Sequence, residues 1–391
     1  MVVRASHAPV RHVPAVIVAA AFIVLVAGSN IPTPLLPLYG QTLGLAPTEL
    51  AVVFSTYLAV LVPMLLIMSH PRTQSRPKTA LIAALALAVC ADALFMLGDA
   101  RLLIIGRALN AVSVALGTGS AALLALLLVG ERGRTIAATG TVAGSFVGTA
   151  LATILAEFAP APALLSYVVH AVVAVLVLAA VVMRISAPRL DPAAATDVGA
   201  RPPQAARRSP VRMLGYVMGM ISWAGGAVVL GLTPILTRGA FGSDSLLVAS
   251  SGAMAMLGVA SVTQIVVGRW QVRAVATVSL IAFTCGLVLL GLAVVAGELP
   301  LLFLAAAVLG FGQGPLYRAG MSIATAGLGP RMQGARASLY ATFAYGTAAV
   351  YIVLCGLISE AFAAGTALMS AAFFLVLPAM VALLLIRHAV R

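Results

Sequence analysis

Four ionisable side chains fall inside long apolar runs of this sequence: Asp92, Arg107, His170 and Arg318. A charge at the centre of a membrane helix costs at least ~2.5 kcal/mol. Such residues therefore turn inward, pair with one another, or mark a solute path. The chemistry they offer is the binding of charge and the movement of protons. Asp92 and Arg107 lie on either side of the short turn "GDAR", Gly98 to Arg101. Two antiparallel helices sharing that turn place both side chains at similar depth, ~10 Å below it at 1.5 Å rise per residue. An ion pair between them is expected. Protonation of Asp92 would then free Arg107 as a proton-coupled switch, or the pair is purely structural. In the remaining alternative the two do not meet and Asp92 reaches the membrane interface. Arg107, Asn110 and Ser113 follow one another at i, i+3 and i+6, so all three share a helical face. Arg318 reads either as a second interior cation or as a side chain that snorkels toward headgroups. With two arginines against one aspartate, the interior favours neutral or anionic solutes.

The elements that must hold these residues are membrane helices. Of 391 residues, 62% are hydrophobic and 8% charged, and the mean hydropathy is +1.13. A soluble domain cannot hide so much apolar surface. Apolar stretches of ~20 residues, enough to cross ~30 Å of hydrocarbon, recur throughout. The ~10-residue alternation of a β-barrel is absent. The sequence predicts an all-α protein with spans at 14–38, 47–69, 78–98, 102–129, 135–157, 163–183, 213–237, 245–267, 274–296, 299–326, 337–358 and 365–386. The formal net charge of +13 does not point to nucleic acid, because its distribution is a topology signal. Nineteen of the 23 basic residues fall on alternate loops and the two termini, while the other loops carry Glu49, Asp99, Glu157, Asp244, Glu298 and Glu360. By the positive-inside rule both termini and the basic loops are cytoplasmic. The basic, apolar, small-residue N-terminus has the outline of a signal peptide, but its apolar stretch runs on to Leu38, so it is read as an uncleaved first span. Cys90, Cys285 and Cys355 lie in spans, unspaced for metal, and read as small packing residues.

The longest polar stretch, Ser186 to Pro210, is rich in Pro, Ala and Arg and has too little apolar surface to order itself. It divides the chain into a cytoplasmic N-terminus (1–13), a six-helix bundle (14–184), a linker (185–212), a second six-helix bundle (213–386) and a tail (387–391). The halves echo each other. "TPLL" at Thr33 recurs as "TPIL" at Thr233, "VGTA" at Val147 as "YGTA" at Tyr345, and "GTGS" at Gly117 faces "GQGP" at Gly312. A duplicated six-helix unit with both termini on one side is the arrangement of parallel-repeat transporters, which bind solute between the halves.

With these features the chain resembles the major facilitator superfamily over nearly its whole length. The superfamily's drug:proton antiporters carry G-x-x-x-G-P-x-x-G-G in span 5. Here Gly140, Gly144 and Gly148 hold those spacings, with Ser145 for the proline and Thr149 for the last glycine. Glycines at i, i+4 and i+8 leave a bare stripe against which another helix can close. The span 4 pattern L-x-x-x-R-x-x-Q-G is matched by Leu103, Arg107 and Asn110, with Ala111 for the glycine. The first span, with Pro32, Pro34 and Pro37, is similar to the proline-rich first helix of bacterial efflux members and must break its own hydrogen bonding. The loop between spans 2 and 3 departs from the family's G-x-x-x-D-R-x-G-R: it reads "MSHPRTQSRPK", with no acid.

The resemblance implies two six-helix halves that rock about a central cavity lined by spans 1, 2, 4, 5, 7, 8, 10 and 11. The candidates for substrate contact are then Asn30, Phe54, Tyr57, Arg107, Asn110, Ser113, Trp223, Gln313, Tyr317, Arg318 and Tyr345. Asp92 and Arg107 are the candidates for proton coupling, and Gly140, Gly144 and Gly148 for the conformational seam. His170, on what would be a peripheral helix, reads as structural. Cation exporters of the family often carry an acid in span 1 or 4; here span 1 has Asn30 and span 4 has no acid before Glu131, which argues against cation export. No P-loop, H-E-x-x-H or G-x-S-x-G occurs, so no enzyme, cofactor or metal is expected. The expected role is a monomeric inner-membrane exporter of small apolar or weakly anionic molecules, with protons as coupling partner. Uptake or facilitated diffusion of an organic anion or sugar-like metabolite is the alternative, and a non-transporting receptor or scaffold is the alternative from another class.

Overall fold

A computed structural model describes residues 12–130, 133, 136–186, 210–241, 245–362 and 364–389. Twelve helices among them are long and apolar enough to cross a membrane, and no described residue is in a strand. Span 1 is two helices, His12–Asn30 and Pro32–Thr42. Spans 2 to 6 are Pro47–Met68, Pro77–Met96, Ala100–Val129, Ile136–Phe158 and Pro162–Arg184. Spans 7 to 12 are Pro210–Phe241, Leu246–Val266, Val272–Ala296, Leu299–Thr325, Pro330–Ala361 and Ala364–Ala389. Residues 1–11 and 187–209, which hold most of the expected N-terminal segment and linker, lie outside the described residues.

Local chemistry sets the ends. Proline opens spans 2, 3, 6 and 11, where a missing N–H costs nothing. At the "GDAR" turn Gly98 supplies φ +63°. Asp99 then caps span 4, its Oδ1 accepting from the N–H groups of Arg101 (2.8 Å) and Leu102 (3.1 Å). Span 11 starts seven residues earlier than its hydropathy suggests. Pro330 begins the helix, and its polar first turns pack against protein instead of ending at the membrane edge.

The two halves pack alike. Span 1 lies against spans 4, 5 and 6, span 4 against spans 2 and 3, and span 3 against span 6. Shifted by six, the same pairs recur: 7 against 10, 11 and 12, 10 against 8 and 9, and 9 against 12. The halves meet along spans 5 and 8 and along spans 2, 4 and 11. On the side away from the basic loops, here the far side, the Glu157 carboxylate of span 5 accepts from Ser245 Oγ (2.8 Å) and Leu247 N (3.4 Å) at the start of span 8. On the basic side Gln264 Nε2 of span 8 donates to Thr139 O of span 5 at 3.3 Å. Outward faces of spans 6, 9 and 12 are apolar, with Leu176, Leu292 and Leu377 exposed as a lipid-facing surface requires. Cys90 and Cys285 are on such exposed faces, and Cys355 alone of the three is buried.

The glycine stripe of span 5 faces span 1. A Cβ on Gly144 would lie 2.7 Å from Ile23 O, and one on Gly148 would collide with the Ala27 backbone. Gly148→Val should therefore lower stability by about 1–3 kcal/mol, the usual cost of overpacking. Gly291→Ala, where nothing lies within 4 Å of the added atom, should be near neutral. Thermal unfolding midpoints in one detergent compare the two.

Candidate functional site: a cavity at the break in span 1

The prolines of span 1 create the site. Pro32 has no N–H to donate to Gly28 O, four residues back, and the helix is interrupted at Ile31. Backbone carbonyls freed at membrane depth need other donors. Span 4 supplies them. Arg107 Nη1 donates to Ser29 O at 2.7 Å and Asn110 Nδ2 to Gly28 O at 3.2 Å. The guanidinium also reaches span 2, with Nε donating to Val53 O (3.3 Å) and Nη2 to Phe54 O (3.4 Å). Its carbon lies 4.7 Å from the centre of the Tyr57 ring, a cation–π distance. Arg107 is 2% exposed, and no carboxylate among the described residues pairs with it. Three carbonyls and an aromatic face hold the charge without neutralising it.

Beside Arg107 lies a partly open cavity of about 660 Å³ including its mouth. Ser29, Asn30 and Thr33 come from span 1, Phe54, Tyr57 and Leu58 from span 2, and Ser145 and Thr149 from span 5. The second half contributes Trp223, Ala227 and Leu230 from span 7 and Tyr345, Ala348 and Ile352 from span 11. Polar contacts knit the first-half wall. Tyr57 OH donates to Ser29 Oγ (3.2 Å), and Asn30 Nδ2 donates to Val26 O (2.8 Å) and Ser145 Oγ (3.3 Å). The opposite wall is aromatic, with Trp223 and Tyr345 rings 4.9 Å apart. The lining belongs to the middle and far-side parts of the spans. The basic side is shut by spans 4 and 11: a Cβ on Gly119 would come within 3.0 Å of Gly334 O, and one on Gly334 within 2.9 Å of Gly119 O. Buried Gln74, from the short helix Pro71–Ser75 between spans 2 and 3, packs over both glycines.

The sequence model of the Major Facilitator Superfamily matches residues 18–350. The chain belongs to the major facilitator superfamily. No curated protein matches it at a significant level. Members of this superfamily are membrane transporters, so this is a multi-pass transporter that carries small molecules across a bilayer.

Within a superfamily transporter the expected site residues sort into two groups. Asn30, Phe54, Tyr57, Arg107, Trp223 and Tyr345 line the cavity together. Asn110, Ser113, Gln313, Tyr317 and Arg318 do not. The face that Arg107 shares with Asn110 and Ser113 looks at neighbouring helices, and Ser113 Oγ donates to Ala84 O of span 3 at 2.9 Å. Tyr317 is wholly buried between Tyr340 (5.0 Å between rings) and Trp223 (5.9 Å). Gln313 is fully buried beside span 7, where its carbonyl accepts from Ser222 Oγ at 3.0 Å. Arg318 donates to Gln264 O and to Gly268 O (3.5 Å) at the end of span 8, a cation on free C-terminal carbonyls.

The expected Asp92–Arg107 pair does not form. Asp92 Oδ2 instead lies 2.6 Å from His170 Nδ1 of span 6, and Arg107 turns the other way, to spans 1 and 2. Depth along one turn places two residues at one level but not on facing sides. Ser145 and Thr149 were missed as lining residues, although their departure from the superfamily's span 5 pattern marks them: a hydroxyl stands at each place where the pattern has proline or glycine.

Proposed function

We propose that this transporter exports small, largely apolar or weakly anionic molecules across the inner membrane by alternating access, driven by proton exchange. The observation that carries the substrate class is the uncompensated Arg107 beside an aromatic cavity. A cation solute meets a fixed like charge in a low-dielectric site, whereas an anion or a polarised neutral group gains from it. Trp223, Tyr345 and Phe54 offer flat apolar surface for a ring or hydrocarbon body. The two halves contribute opposite walls, which supports rocking about the contacts of spans 5 and 8 and of spans 2 and 11. By the positive-inside rule the closed basic side is cytoplasmic, so the cavity faces outward, the state in which an exporter releases its load.

Flux tests this reading. Purified protein in liposomes receives a panel of small aromatic acids, sulfonates and neutral amphiphiles under an imposed pH gradient, with protein-free liposomes as baseline. At least one neutral or anionic compound should accumulate against its own gradient, and organic cations should not. Movement only down each compound's gradient would remove the antiport mechanism.

A further inference from the structure

Outside the cavity the first half holds a second buried polar centre. Asp92 is 0% and His170 3% exposed. His170 Nε2 lies 2.8 Å from Val24 O of span 1. A carbonyl oxygen only accepts, so Nε2 carries a hydrogen and the imidazole's one remaining option lies at Nδ1. Nδ1 and Asp92 Oδ2 are 2.6 Å apart, which two lone pairs cannot be. One proton must lie between them, as neutral acid with neutral imidazole or as carboxylate with imidazolium. Both forms are net neutral and both suit hydrocarbon. Taking that proton away leaves a bare carboxylate facing a lone pair at membrane depth, with Asp92 Oδ1 lacking any partner among the described residues.

We infer that Asp92 and His170 are the chain's proton-binding site, a single-proton store whose emptying is read by span 1. This rests on the proton-exchange reading above. The mechanical link is Val24 and Gly28. The His170 ring fills the space that Gly28 leaves open, since a Cβ there would lie 2.7 Å from Nε2. Gly28 O and Ser29 O are the carbonyls held by Asn110 and Arg107, and the next residue, Asn30, lines the cavity. Loss of the bridging proton forces Asp92 and His170 apart or toward water. Either movement releases the grip of span 6 on span 1 just before its break. The titratable and charged groups on the elements packed against the pair are Tyr167 on span 6, which interacts with Asp92, Tyr39 on span 1, whose hydroxyl lies 2.5 Å from that of Tyr167, and Arg107 on span 4. Span 5 presents no charge at this depth, because its Glu157 is engaged at the far end by Ser245. Span 3 itself carries no other ionisable group between Lys78 and Asp92 except Cys90, on its exposed face.

Nitrogen NMR of the full chain with labelled histidine tests the site without any solute. Its five histidines are few enough to assign His170 by loss of its signal in His170→Gln. His170 should keep Nε2 protonated from about pH 5 to 9 and show a low-field proton in a short Nδ1 hydrogen bond. That low-field signal should vanish in Asp92→Asn, whose amide can still donate to Nδ1. An imidazole that titrates as an ordinary exposed histidine, exchanging tautomers, overturns the proposal. In liposomes Asp92→Asn should lose at least tenfold of any uphill accumulation driven by the pH gradient, with its thermal unfolding midpoint in detergent showing that the variant is folded. Retained uphill drive in that variant overturns the coupling role. If wild type shows no uphill drive while the shared proton is seen, the failure is that of proton exchange as the driving force.

Discussion

Arg107→Leu is expected to stop transport, lowering the rate for any anionic solute by at least a hundredfold. Leucine fits a membrane helix better than arginine, so the loss would not come from a poorer span. It would come from what the guanidinium holds. The Ser29 carbonyl would lose its charged donor, and an orphaned buried acceptor costs about 1–3 kcal/mol, while Val53 O and Phe54 O, inside the helix of span 2, would lose only their tie to span 4. The break of span 1 would keep only Asn110 as its fastening to span 4, and the cavity would lose the only cation among its described lining residues. Arg107→Lys separates these effects. An ammonium keeps the charge but has a single nitrogen, which cannot reproduce a fork that reaches carbonyls on two helices. It should retain measurable solute binding while transport stays depressed at least tenfold. Binding by fluorescence quenching of Trp223 and flux in liposomes read the two separately. Normal flux in Arg107→Leu would dismiss the cavity assignment.

Much of this site was legible before any fold was known, and the limits were physical. Hydropathy and alternating loop charge fixed twelve spans because the bilayer imposes length and the cell imposes charge, both local properties of the chain. Arg107 stood out because its cost in hydrocarbon demands a reason, and Pro32 announced a break whose carbonyls needed donors. What could not be read was azimuth. Asp92 and Arg107 stand seven residues before and eight after Asp99 in the shared turn, yet span 3 presents Asp92 to span 6 while span 4 presents Arg107 to spans 1 and 2. Asn110 and Ser113 share the face of Arg107, but that face meets helices and only its outermost residue reaches the cavity. His170 looked structural because its helix is peripheral, and its partner lies 78 residues away in sequence. The polar first turns of span 11 defeated a hydropathy reading because they are buried by the loop between spans 2 and 3, not by lipid. That loop lacks the family's acid, and Gln74 takes its place over the closed side through uncharged contacts with Gly119 and Gly334.

The closed side also yields the second large effect. Gly119 and Gly334 belong to different halves, and each would place a Cβ within 3.0 Å of the other's carbonyl oxygen. Alternating access about the cavity beside Arg107 requires that contact to open once per cycle, because spans 4 and 11 come from different halves and meet there on the basic side. A covalent bridge across it must therefore hold the transporter in its far-side-open state. A disulfide needs Cβ atoms about 3.5–4.5 Å apart, and backbones in contact bring cysteines at these two positions within reach of one another. Cysteines at both positions, in a chain with Cys90, Cys285 and Cys355 replaced by alanine, supply the measurement. Oxidation of Gly119→Cys/Gly334→Cys should reduce flux to the protein-free baseline, leave solute binding from the far side intact, and be reversed by a reducing agent. Undiminished flux through the fully cross-linked protein would contradict alternating access about this cavity.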